Sequence, residues 1–257
     1  MEKRLMEWKR FNLIGAVCVF SAMFVMLMEI FLTSLPDGAR IQLTSQQLLE
    51  MYNRNWFMGM RYMGLINIIA STLMIPVYYS LYGVHRDSNK VFAGFALVIA
   101  IISYAVFLSD NVSFPILELS KKYSAASESE KLLLVTATES LFAKGASHTP
   151  GTFPGFLLGQ LGSILFNIVI IKGKQFKKII GIIGTIAFSF LLIFEILSSF
   201  ITSHYQQAMI FAMMGGISAI TWYVLIGLEF LKLHKKEYSF STGNSLEHKK
   251  SEQSEAE

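Results

Sequence analysis

Runs of about twenty apolar residues, separated by short polar stretches, recur along most of this chain. They fall at 11–33, 56–82, 91–109, 153–171, 179–202 and 207–231. A helix rising about 1.5 Å per residue needs roughly twenty residues to cross a hydrocarbon core of about 30 Å, and each run meets that length. A helix buried in a water-soluble core is shorter and keeps a polar face. The pattern therefore predicts an all-α fold: a polytopic membrane bundle of six transmembrane helices spanning residues 1–236. A polar tail poor in aromatics follows at 237–257 and is expected to be disordered. The first run follows basic residues, as a signal peptide does. Its apolar stretch is too long for one and no small-residue cleavage site follows it, so it reads as a retained anchor.

Two polar segments between the runs carry helical signals of their own. Thr44 and Gln47 have capping-box spacing, and Leu48, Leu49 and Tyr52 follow on a helical period. In 111–147, Pro115 suits a helix start, and Ser127 with Glu130 suits the cap of a second helix through Leu133, Leu134, Ala137 and Leu141. Both segments read as amphipathic helices lying on the outer membrane surface.

Direction comes from the cations. Lys3, Arg4, Lys9 and Arg10, then Arg86 and Lys90, then Lys172, Lys174, Lys177 and Lys178, then Lys232, Lys235 and Lys236 share one side. The other side has Arg40 and Arg54, plus a long segment whose lysines are matched by glutamates. Short basic loops stay cytoplasmic, so both termini are expected in the cytoplasm of a plasma-membrane protein.

Composition agrees. Of 257 residues 53% are hydrophobic and 16% charged, against roughly 25% charged in soluble domains. The net charge of +4 arises from those short loops, so nucleic acid is not an expected partner. The bilayer is, together with a small solute or lipid as ligand. The single cysteine, Cys18, permits neither an intramolecular disulfide nor a thiolate metal site. No metal-protease, nucleophile-elbow or phosphate-loop motif occurs. Ser218 has no histidine at its depth to activate it, so no catalytic residue, metal ligand or cofactor is assigned.

The candidate chemistry lies in polar groups placed where hydrocarbon should be: Glu29, Arg61, Gln160 and Glu195, with Asn67 and Asn167 deeper. Such groups are costly in lipid and face protein or water. Counting about 1.5 Å per residue from the outer helix ends puts Glu29 and Arg61 roughly 6–7 Å down and Gln160 and Glu195 roughly 10 Å down. They share faces with small residues, as in Gly155, Gly159, Ser163 and Asn167, a row that permits close helix contact. The expectation is a buried cluster in which Arg61 pairs with Glu29, Glu195 or both. Three readings remain open: a pair that fixes helix register, an outward-facing binding pocket, and a proton-coupled site arising from two acids against one base. Pro76 is a candidate kink in the second span. Trp56, Trp222 and Tyr223 read as interfacial anchors. Glu229 and Lys232 read as a solvated pair, and His148 and His204 as separate surface residues.

Arg61-Tyr62-Met63-Gly64-Leu65, the Pro76 to Tyr82 stretch, Ser129-Glu130-Lys131 and Thr149-Pro150-Gly151-Thr152 together resemble an uncharacterised family of six-pass prokaryotic integral membrane proteins. The resemblance runs from about residue 11 to 231. It implies a domain of unknown function, transfers no catalytic residue, and draws attention to Arg61.

Overall fold

The computed structural model describes the backbone of residues 2–34 and 43–254 and the side chains of 7–32 and 43–235. Lys3, Arg4, Arg40 and Lys236, used above for direction, and the side chains of the 237–257 tail lie outside that description. Among the described residues every regular element is helical. The order is α1 (Glu2–Ser34), α2 (Ser45–Arg54), α3 (Trp56–Tyr62), α4 (Leu65–Asp110), α5 (Ser113–Ala125), α6 (Glu128–Gly145), α7 (Phe153–Lys172), α8 (Lys178–Phe200), a 3-10 turn (Thr202–His204) and α9 (Tyr205–Ser254). Five stretches are long and apolar enough to cross a membrane: Glu7–Leu32, Leu65–Ala125, Phe153–Lys172, Lys178–Phe200 and Thr202–Lys235. Their outward faces carry exposed Phe24, Ile30, Val91, Phe95, Ile182, Ile210 and Ile217, among others. Such a surface suits lipid rather than water.

α4 has 46 residues, which laid straight would measure about 69 Å, more than twice a bilayer core. It is not straight. Asn89 leaves the helical region (φ −154°, ψ 62°), and the rings of Tyr78 and Tyr104 lie 5.8 Å apart. Twenty-six positions along one straight helix would separate them by roughly 39 Å. α4 is therefore a helical hairpin with limbs 65–88 and 90–110. The break falls in Asp87-Ser88-Asn89, polar residues that compete with helical hydrogen bonding, and Ser88 Oγ donates to the His85 carbonyl at 3.0 Å. Pro76 lies within the first limb without ending it.

The long helices close a ring, α1 against α4, α4 against α7, α7 against α8, α8 against α9 and α9 back against α1. Small residues allow the approach. A Cβ on Gly15 would sit 2.4 Å from Ser80 Oγ, and one on Gly162 would sit 3.2 Å from the backbone of Ala100. The ring's interior is aromatic and partly polar. Trp222 is fully buried and donates from Nε1 to Asn167 Oδ1 at 2.7 Å, while Asn167 Nδ2 donates to the Ser163 carbonyl at 2.8 Å. This corrects the expectation for Trp222 and Tyr223. They belong to the core, because a partner for the indole N–H exists inside it. Trp56 remains 58% exposed, as an anchor should be.

α2, α3, α5 and α6 gather at one end of the ring. The α2 capping box forms as its spacing predicts, with Gln47 N donating to Thr44 Oγ1 and Thr44 N to Gln47 Oε1. Leu48, Leu49 and Tyr52 do form one face, but it packs on Met60, Val112, Ile116 and Tyr123. The face expected to lie on a bilayer is covered by neighbouring helices.

The second span also differs from expectation. Instead of one helix over 56–82, the chain breaks after Tyr62 and restarts at Leu65, with Gly64 left-handed at φ +88°. Glycine carries that conformation without steric cost. The freed Met63 carbonyl accepts from Asn111 Nδ2 (3.1 Å) and Ser113 Oγ (2.8 Å), which ties the break to the start of α5.

Candidate functional site: a cavity lined by His148

Between α6 and α7 the chain makes a tight turn closed by its own hydroxyls. Thr149 Oγ1 donates to the Ala146 carbonyl at 2.7 Å, and Thr152 Oγ1 reaches the same carbonyl at 3.1 Å. Gly151 lies so close to the end of α6 that a Cβ would meet the Ala143 and Lys144 carbonyls at 2.4 Å. His148 stands in this turn with φ 61°, the one non-glycine residue among those described with positive φ. The left-handed region is uncommon for a side-chain-bearing residue, and such conformations persist where surrounding bonds over-determine them.

Those bonds are present. The imidazole stacks on Phe156 (centroids 5.4 Å, 27°) and meets Phe194 edge-on (4.8 Å, 64°). Its Nδ1 lies 2.8 Å from Glu195 Oε2. Glu195 is 2% exposed and its other oxygen accepts from Ser199 Oγ at 3.3 Å, one turn along α8. One hydrogen joins Nδ1 to the carboxyl oxygen, and this bond with the two ring contacts fixes the orientation of the imidazole.

His148 lines a cavity of about 570 Å³ together with Tyr62, Met63, Phe142, residues 145–147, Thr149, Ser198, Thr202 and Tyr205. The volume is in the range of small-molecule sites. The described lining residues offer hydroxyls, one imidazole and apolar rims, and none of them is a lysine, an arginine or a carboxylate.

Beside the cavity, Arg61 at the end of α3 donates from Nε to Glu29 Oε2 of α1 at 2.9 Å, with both side chains largely buried (8% and 15% exposed). Gln160 lies one turn beyond Phe156 on α7, and its buried Oε1 has no hydrogen-bond partner. The four residues expected to cluster thus divide. Arg61 meets Glu29, Glu195 meets His148, and Gln160 bonds to neither pair. Among the described residues, the two acids that the sequence set against one base meet two bases. His148 was read as a surface residue and is the second base. Nothing local to residue 148 announces this, because its partner is 47 positions away, although the turn residues around it fix its conformation. His204 bonds only its neighbour Ser203 and is exposed, as expected. Among the described residues no group of three His, Cys, Asp or Glu side chains could hold a metal ion.

Residues 11–228 match the profile of the domain of unknown function DUF4386. The chain belongs to the DUF4386 family. No curated protein matches it, and no solved structure matches it. The DUF4386 region takes in all three features described above: the Glu29–Arg61 pair, the turn bearing His148, and α8 with Glu195. It stops short of the polar tail.

Proposed function

We propose that this protein is a non-enzymatic, multi-pass plasma-membrane protein that binds a small uncharged, hydroxyl- or amide-bearing ligand in the cavity beside His148. Three considerations support the reading. The volume suits a small ligand. The described wall residues are rich in hydroxyls, and none of them carries a free charge to compensate an ion. Glu195 and two phenylalanines hold the imidazole of a lining residue in place, the pre-organisation that lowers the cost of binding. The pairing of His148 with Glu195 is the single observation that carries it.

Six crossings fit the hairpin form of α4, with α1, the two α4 limbs, α7, α8 and α9 as the spans. The basic loops 86–90 and 172–178 then face the cytoplasm with both termini, and the cavity faces outward. A free polyol or amide and a lipid headgroup would offer the same chemistry to the cavity.

A thermal-shift screen of the purified protein against uncharged polyols, amides and soluble lipid-headgroup analogues tests the reading. A ligand at a hundred times its dissociation constant stabilises by about 2.7 kcal/mol. Such a ligand should raise the melting temperature of the wild type and leave His148→Leu unshifted. Equal shifts in both proteins, or none across the set, would sink the assignment.

A further inference from the structure

We infer that one face of α7 is a closed route for a small uncharged solute from the cavity to the opposite end of the bundle, and that Phe176 is the plug that shuts it beside His85. The inference rests on the cavity being a solute site and extends that reading from binding to passage.

The face begins at Phe156, whose ring stacks on His148 at the cavity wall. It continues through Gln160, Ser163 and Asn167 at spacings of four, three and four residues, the period of one helix stripe. Past Asn167 the stripe carries Ile170 and Ile171, and α7 ends at its cap Gly173, where a Cβ would lie 3.3 Å from His85 Nδ1. Seventeen residues of rise make this about 26 Å, close to a full hydrocarbon thickness. The default for a helix face buried in such a bundle is apolar. This one instead carries an amide, a hydroxyl and a second amide in line.

The two ends of the stripe hold polar atoms with nothing to bond. Gln160 Oε1 is buried without a partner near the cavity, and His85, 0% exposed, has neither ring nitrogen bonded. Buried polar groups are nearly always paired, so each exception asks for an explanation. A dry, closed state of a path that is polar when open supplies one. Asn12 Oδ1 on α1 is a third such atom, and Asn12 is 5% exposed.

The closure is visible in one residue. The connection between α7 and α8 is short and basic, Lys172-Gly-Lys-Gln-Phe-Lys-Lys, and its lysines at 172, 174, 177 and 178 are exposed. Phe176 alone turns inward, to 4% exposure. Its ring meets His85 edge-on at 5.2 Å and Phe230 of α9 at 6.1 Å. An aromatic ring on a non-helical segment, held against an unbonded imidazole, can leave without unwinding a helix. Its departure would open His85 to water. The middle of the path is shut differently, by the bonds that join Asn167 to Trp222 and Ser163 to Tyr78. Among the described buried residues, no lysine, arginine or carboxylate lies on the stripe below Glu195. The route therefore suits a solute that needs no counter-charge.

The test uses the full-length protein in vesicles, with Cys18→Ala removing the native thiol. In that background His85→Cys should resist a membrane-impermeant thiol reagent applied at the lysine-rich end. It should become labelled when Phe176→Ala is added; Asn12→Cys and the milder Phe176→Leu repeat the comparison should one variant fail to fold. Without the cysteine substitutions, Phe176→Ala vesicles should swell severalfold faster than wild type in a glycerol gradient, and adding Gln160→Leu should abolish the gain. Unchanged labelling in a variant that keeps its wild-type melting temperature overturns the plug. Labelling without faster glycerol entry overturns the route. Labelling requires no ligand in the cavity, so failure of the binding assignment would show separately, in the thermal-shift comparison.

Discussion

Arg61 and Glu29 are both largely buried, and the bond between them joins α3 to α1. Loss of one member of a buried pair costs about 3–5 kcal/mol, whereas replacing both by apolar residues of similar size is often near neutral. Arg61→Met should therefore lower the melting temperature, and Arg61→Met with Glu29→Leu should recover part of the loss. Failure of the double variant to recover would mean that the guanidinium does more than fix the register of α1 against α3. Of the buried charges, Arg61 and Glu29 were legible as candidate partners, because both interrupt apolar runs at similar depth, but the sequence offered Glu195 to Arg61 equally. His148 was not. Its character depends on a left-handed turn and on a carboxylate from a different helix, and neither leaves a local mark. Trp222 misled for a related reason: residue type suggested the interface, while its hydrogen-bond partner Asn167 placed it in the core.

Among the elements, the short polar helices were readable because their caps are local. Ser127 N and Oγ both donate to Glu130 Oε2, at 2.8 and 2.6 Å, and these bonds hold the Glu130 carboxyl below its ordinary range. A group whose folded value is lowered contributes its stability above the ordinary carboxylate range and loses it as pH falls through the folded value. Protection of the amides at residues 128–131, relative to the intrinsic exchange rate at each pH, should thus fall as the solution is acidified below that range, and Glu130→Ala should abolish the fall. Protection that stays constant with pH in the wild type would show that the cap does not hold the first turn of α6. Breaks inside long apolar runs were harder to read. Hydropathy is continuous through Met63-Gly64, so the join of α3 and α4 is set by φ +88° at Gly64 and by Asn111 and Ser113 reaching back to Met63. The nearest atom to a Cβ at Gly64 is 3.4 Å away, so space is available and only the backbone resists. Gly64→Ala should cost about 1 kcal/mol through that conformation alone. A neutral result would mean that the join relaxes to ordinary helix.

At the scale of the molecule, the hairpin in α4 decides how the chain is threaded. The sequence separated the two limbs by their charged interval, Arg86 to Lys90, and the ring contact of Tyr78 with Tyr104 folds them together. If each limb crosses the membrane once, loop 86–90 must emerge on the same side as loop 172–178, and the α5–α6 end on the opposite side. Single cysteines in the Cys18→Ala background read this directly. Ser88→Cys and Gln175→Cys should react with an impermeant reagent only from the cytoplasmic face, and Ser124→Cys only from the external face. A Ser88→Cys that reacts from outside would reverse every span after α1. The lysines of loop 172–178 would then stand against the positive-inside bias, and the cavity at His148 would open to the cytoplasm. The side of the membrane from which a solute reaches His148 therefore hangs on the turn at Asn89, and labelling at residue 88 should be measured before any ligand is sought.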